Sequence, residues 1–135
     1  MIHYPAVTVH GLAQAVAALA QGRPVALLSG RGAALYAGCA WWRELIGAAR
    51  AVHPDVPAID ILDCADAPGR AMEALRTGQR LLVLDPACPA FAAVTGAAAC
   101  LGATLLAARP PALDLAQRGA ERRLAAWLAA TPGAS

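Results

Sequence analysis

Three short stretches of this 135-residue chain hold the side chains best suited to chemistry. The first is Asp85-Pro86-Ala87-Cys88-Pro89. A helix beginning at Pro89 puts Cys88 at its cap, where free backbone N–H groups favour a thiolate. Cys88 is therefore the candidate catalytic residue of a thiol-dependent enzyme. The bland alternative is a small side chain filling a turn. An arginine-lined phosphatase loop would want arginine six residues after the cysteine, and Val94 stands there. The second stretch, Ser29-Gly30-Arg31-Gly32, is a glycine-containing turn whose N–H groups can meet a phosphate or carboxylate, with Arg31 adding charge. It is not the dinucleotide-binding GxGxxG pattern, because residue 35 is leucine. A tight turn that uses glycine's backbone freedom accounts for the same residues.

The third stretch gathers Asp60, Asp63, Cys64 and Asp66. Asp63 and Asp85 on neighbouring strands would make an oxygen-rich site of the kind that suits Mg²⁺. Ordinary roles compete: Asp66 as a helix cap, Asp63 in loop hydrogen bonds, Asp60 paired with an arginine. No metal site is expected. Cys64 and Cys88 could form a disulfide only with the right geometry, which spacing cannot supply.

What places these residues together is a repeated pattern. Apolar runs at 24–29, 58–64, 80–85 and 103–109 each stop at a small or polar residue and pass into a helix-patterned stretch. Runs with little polar alternation are strands buried on both faces, and helical connectors imply a parallel sheet. Residues 6–9 read as a further short strand. The fold class is then α/β: a three-layer α/β/α sandwich with a mostly parallel sheet of four or five strands. The expected order is flavodoxin-like, 2-1-3-4-5, then Rossmann-like, then half of a barrel. Ligands of such sheets sit beyond the carboxyl ends of the strands. That rim collects Ser29, Gly30, Arg31, Gly32, Asp63, Cys64, Asp85, Cys88 and Arg109.

Between the strands, one helix is expected over 33–52, with Leu35, Cys39, Trp42, Ile46 and Ala49 on its inner stripe. Another opens at Ala67-Pro68 under an Asp66 cap, and Gly78 closes it. A third runs from Pro89, apolar on all sides, and Leu124, Trp127 and Leu128 anchor the last. Residues 1–130 are expected to form one domain, with a disordered tail at 131–135.

Composition narrows the chemistry. All eleven basic residues are arginine, as a GC-rich, bacterial-type coding bias produces. Without lysine, a Walker phosphate loop and Schiff-base catalysis both lose the residue they need, which counts against them. A net charge of +2 and 4% aromatic residues give no sign of nucleic-acid binding. Arg118, Arg122 and Arg123 read as a solvated helix face. The four cysteines show no metal-binding spacing and follow no signal peptide, which points to reduced thiols in the cytoplasm. Residues 87–108 carry no charge and are long enough to span a bilayer, but Pro89, Gly96 and Gly102 favour a helix followed by a buried strand.

These readings give three functions in order. The first is a binding or regulatory module holding a small anionic ligand through Ser29–Gly32 and Arg109, with no cofactor specified. The second is an oligomeric interaction protein without a ligand. The third is the Cys88 enzyme. A homodimer is expected in any case, packing through Ala93, Gly96, Ala97 and Cys100 beside Trp41, with neither nucleic acid nor membrane as partner.

Overall fold

Val25, Ala26, Leu27 and Leu28 are all fully buried, which is why their run shows no polar alternation. They form one of six parallel strands in the computed structural model, which describes residues 3–130. The elements in chain order are β1 (Ala6–Thr8), α1 (Leu12–Leu19), β2 (Val25–Leu28), α2 (Ala33–Tyr36), α3 (Cys39–Val52) and β3 (Ala58–Asp63). They continue with α4 (Pro68–Arg76), β4 (Leu81–Val83), α5 (Phe91–Cys100), β5 (Thr104–Leu106), β6 (Ala112–Asp114) and α6 (Ala120–Ala129). The strand order is β5-β4-β3-β2-β1-β6. This is the expected parallel α/β class, of the three-layer flavodoxin- and Rossmann-like kind. The expected tail at 131–135 lies outside the described residues.

Four details differ from the sequence reading. Beyond the four or five strands expected, the sheet gains a sixth, β6, just after Arg109-Pro110-Pro111. Leu113 and Leu115 are buried, but a three-residue strand is too short to show a period. The strand order is neither 2-1-3-4-5 nor the classic Rossmann 3-2-1-4-5-6; five strands run in series, and the chain then returns to the far side of β1. The helix over 33–52 is broken into α2 and α3, because Gly38 takes φ +98°. Leu35 therefore loses phase with the α3 stripe and is exposed, whereas Trp42, Ile46 and Ala49 are buried as expected. Asp66 does not cap α4; that position is Ala67, with Pro68 as the first helical residue.

The contacts gather into two compact units. The first is the described part of Met1–Leu28, Leu45–Asp60 and Pro110–Ser135. In it β1 lies between β2 and β6, with Ala6 opposite both Ala26 and Ala112. From α6, the Trp127 Nε1–H donates to the Ala6 carbonyl at 2.7 Å, while Leu124 and Leu128 are buried. His10 Nε2 meets Asp114 Oδ1 at 2.8 Å, and Arg50 pairs with Asp60 at 3.6 Å, the arginine contact anticipated for Asp60.

The second unit is Ser29–Glu44 and Ile61–Arg109. Here Leu62 pairs with Leu82, and Leu81–Val83 with Thr104–Leu106. The uncharged stretch at 87–108 resolves into the ten-residue α5, a turn with Gly102 at φ +70°, and β5. Among the described residues, no helix is long and apolar enough to cross a membrane. Gln79 is buried between these elements with both ends of its amide used: Oε1 accepts from Arg43 at 2.9 Å, and Nε2 donates to the Leu81 carbonyl at 3.0 Å.

Candidate functional site

The site lies within the second unit. Successive ladder bonds bring the ends of β3, β4 and β5 level: Cys64 N–H donates to the Val83 carbonyl at 2.8 Å, and Leu84 N–H to Leu106 at 3.1 Å. Asp63 therefore emerges at the tip of β3, and Asp85 N–H reaches back to the Ala65 carbonyl at 2.8 Å. Beyond these tips opens a cavity of about 620 Å³, lined by Arg31, Asp63, Asp66, Asp85 and Arg109 among smaller apolar residues.

Asp63 organises the floor. Its side chain is 3% exposed, and Arg109 Nη1 meets its Oδ2 at 2.7 Å. Its Oδ1 accepts the Ala65 N–H at 2.8 Å, and its own N–H donates to Ser29 Oγ at 2.9 Å. A carboxylate taken out of water needs such an opposite charge together with hydrogen bonds on its remaining lone pairs. Ala65 pays for this turn with φ +50°, unusual for a residue with a side chain.

Of the rim residues read from sequence, Arg31, Asp63, Asp85 and Arg109 meet in the cavity. Ser29 does not face it as a ligand group: it is fully buried, and its hydroxyl donates to the Gly30 carbonyl at 3.0 Å while accepting from Asp63. Gly30 is buried, and Gly32 sits at φ +69° before the four-residue α2. So short a helix offers no extended N-terminus to an anion, and the turn serves mainly to bring Arg31 to the rim.

Cys64 turns inward instead of joining the rim. Burial pushes its thiol up to about 12, and the nearby Cys39 and Asp63 act in the same direction. Cys39 is also raised, by burial first and then by Glu73, with Arg70 opposing. Cys88 is half-buried in the turn after Asp85, to whose carbonyl it donates its N–H at 3.0 Å. The α5 helix starts at Phe91 with Ala90 at the cap, two residues beyond Cys88, because Pro89 lies in the preceding turn. The cap position proposed for Cys88 is thus filled by another residue. All four cysteines are free thiols. Among the described residues, no group of three or more His, Cys, Asp or Glu is placed to hold a metal ion.

Sequence reasoning left Asp66 out of the site by assigning it to a cap, although its position just past a strand tip was a signal. Ala65, Ala107 and Ala108 also line the cavity, and alanine in so alanine-rich a chain gives no warning of this. Comparison of the chain with models of known protein families and with curated proteins finds no match.

Proposed function

We propose that the second unit is a small-molecule binding module whose ligand occupies the cavity beyond β3, β4 and β5. The observation that carries this reading is the cavity itself. It is of ligand size, open at the strand tips, and lined by charged side chains of both signs around an apolar wall. Two guanidiniums stand against three carboxylates there, and Arg109 is already paired with Asp63. Arg31 is exposed and makes no ion pair among the described residues, so it is the cation that an incoming anion meets. Asp66 and Asp85, both exposed, accept hydrogen bonds. The ligand class is accordingly a small molecule with one anionic group for Arg31 and hydroxyl or ammonium donors for the two aspartates.

Native mass spectrometry of the freshly purified protein, followed by thermal-shift titration with inorganic phosphate, a sugar phosphate and an amino acid, tests this. Retained mass or stabilisation by a donor-bearing anion, lost in Arg31→Ala, supports the reading. Stabilisation grows as RT ln(1 + [L]/Kd), about 2.7 kcal/mol at a hundredfold excess over Kd. No retained mass and no stabilisation by any of these probes rejects it.

A further inference from the structure

The charges that line the cavity do not balance. Arg31 and Arg109 face Asp63, Asp66 and Asp85, two positive groups against three negative. Arg109 and Asp63 meet at 2.7 Å, with Asp63 3% exposed, so this pair takes one charge of each sign out of play. A ligand therefore meets one guanidinium and two carboxylates. Neither Arg31 nor Asp66 makes a side-chain hydrogen bond or ion pair among the described residues. Asp85 accepts the Ala87 N–H on Oδ1 at 2.9 Å and has no charged partner among the described residues. All three are exposed, so their charges are held by water until a ligand displaces it.

This remainder discriminates among ligand groups. A phosphate brings a charge of about −1.5 to −2 into a cavity that is already negative, with Arg31 alone free to meet it. Hydroxyl groups fill the lone pairs of the two aspartates but leave their charges uncompensated when water leaves. A diamine matches both aspartates and leaves Arg31 unmet. One carboxylate with two ammonium groups answers all three side chains and brings the sum of charges in the cavity to zero. The guanidinium fork of Arg31 suits a carboxylate, and Val83, Pro86, Ala107 and Ala108 offer an apolar wall to an aliphatic stem.

We propose that the ligand is a basic amino acid of the lysine or ornithine type. Its carboxylate lies on Arg31, its two ammonium groups on Asp66 and Asp85, and its methylene stem along the apolar wall. This rests on the reading of the cavity as a ligand site and names what that site selects.

Isothermal titration of the full chain with L-lysine and L-ornithine tests it. The comparison probes are L-norleucine, Nα-acetyl-L-lysine, cadaverine and a sugar phosphate, none of which carries all three charges. The tighter basic amino acid is expected to bind at least about tenfold better than each comparison probe, the worth of one charge-assisted contact. Asp66→Asn and Asp85→Asn keep size and an acceptor oxygen, and each should weaken that binding at least about tenfold. If Asp85→Asn loses the wild-type circular dichroism spectrum, Asp66→Asn alone decides. A comparison probe that binds as tightly as the basic amino acids, and is lost in Arg31→Ala, leaves the site reading standing and overturns this inference. Basic amino acid binding that the folded asparagine variants leave unchanged overturns it too. If no probe binds, the site reading and the inference fall together.

Discussion

Replacing Arg109 with methionine tests how the floor of the cavity is built. The substitution keeps much of the apolar stem and removes the guanidinium 2.7 Å from Asp63 Oδ2. The carboxylate is then left 3% exposed with its charge uncompensated, retaining only the Ala65 N–H among the bonds to its oxygens described above. Breaking a buried pair in this way costs about 3–5 kcal/mol. Arg109 is 18% exposed, which places the expected loss at the lower end, about 3 kcal/mol. Arg109 also has a further interaction beyond Asp63, so a double-mutant cycle with Asp63→Asn is needed to isolate the pair. Asparagine keeps an oxygen for the Ala65 N–H, and the double variant is expected to recover about 1.5–3 kcal/mol of the summed losses. Urea unfolding followed by tryptophan fluorescence reads this out, since Trp41 and Trp42 belong to the same unit. With m near 1.5 kcal/mol per molar urea, the single variant shifts the midpoint by about 2 M. A loss under about 1 kcal/mol, typical of solvent-screened surface pairs, would refute the account of Asp63 as a buried charge held by Arg109.

Three further outcomes follow from the same geometry. Ser29→Ala leaves the buried Asp63 N–H without its acceptor and should cost about 1–3 kcal/mol in urea unfolding; a neutral effect would show that the hydroxyl is not structural. Ala65→Gly relieves a side chain held at φ +50°, worth about 1–2 kcal/mol, against about 0.4–1 kcal/mol of added unfolded-state freedom. A small rise in melting temperature is expected, and a fall contradicts the strained turn. The Cys64 thiol loses its proton near 9 when unfolded and at about 12 when folded, so the unfolded chain releases its proton first. Its contribution to stability is therefore complete below pH 9 and declines as pH rises, by ~1.4 kcal/mol per unit between the two values. Unfolding measured at pH 8 and pH 10 should show this extra loss in the wild type and not in Cys64→Ala.

The amino-acid order determined the elements wherever a run was long or fully apolar. Residues 25–28 and 81–84 could only be buried strands, and the spacing between such runs left room for a helix in each, so the parallel α/β class was legible, as was the nearness of Arg31, Asp63, Asp85 and Arg109. Trp42, Ile46 and Ala49 marked their helix face because three turns of stripe outlast local exceptions. Short or locally ambiguous features were not legible. One glycine at φ +98° split a helix and exposed Leu35; a three-residue strand gave too few positions to reveal β6.

The site divides in the same way. Sequence put Asp63, Asp85, Arg31 and Arg109 on one rim because each follows a strand. Tertiary structure decided which of them are occupied with one another. The Asp63–Arg109 pair spans 46 positions of chain, and Ser29 and Cys64, equally polar on paper, turned inward to brace or fill the floor. Periodicity reports which face of an element is buried, since that depends on neighbours in the chain. A hydrogen-bond partner depends on which strand tips the sheet brings level, and that is fixed only when the strands have paired.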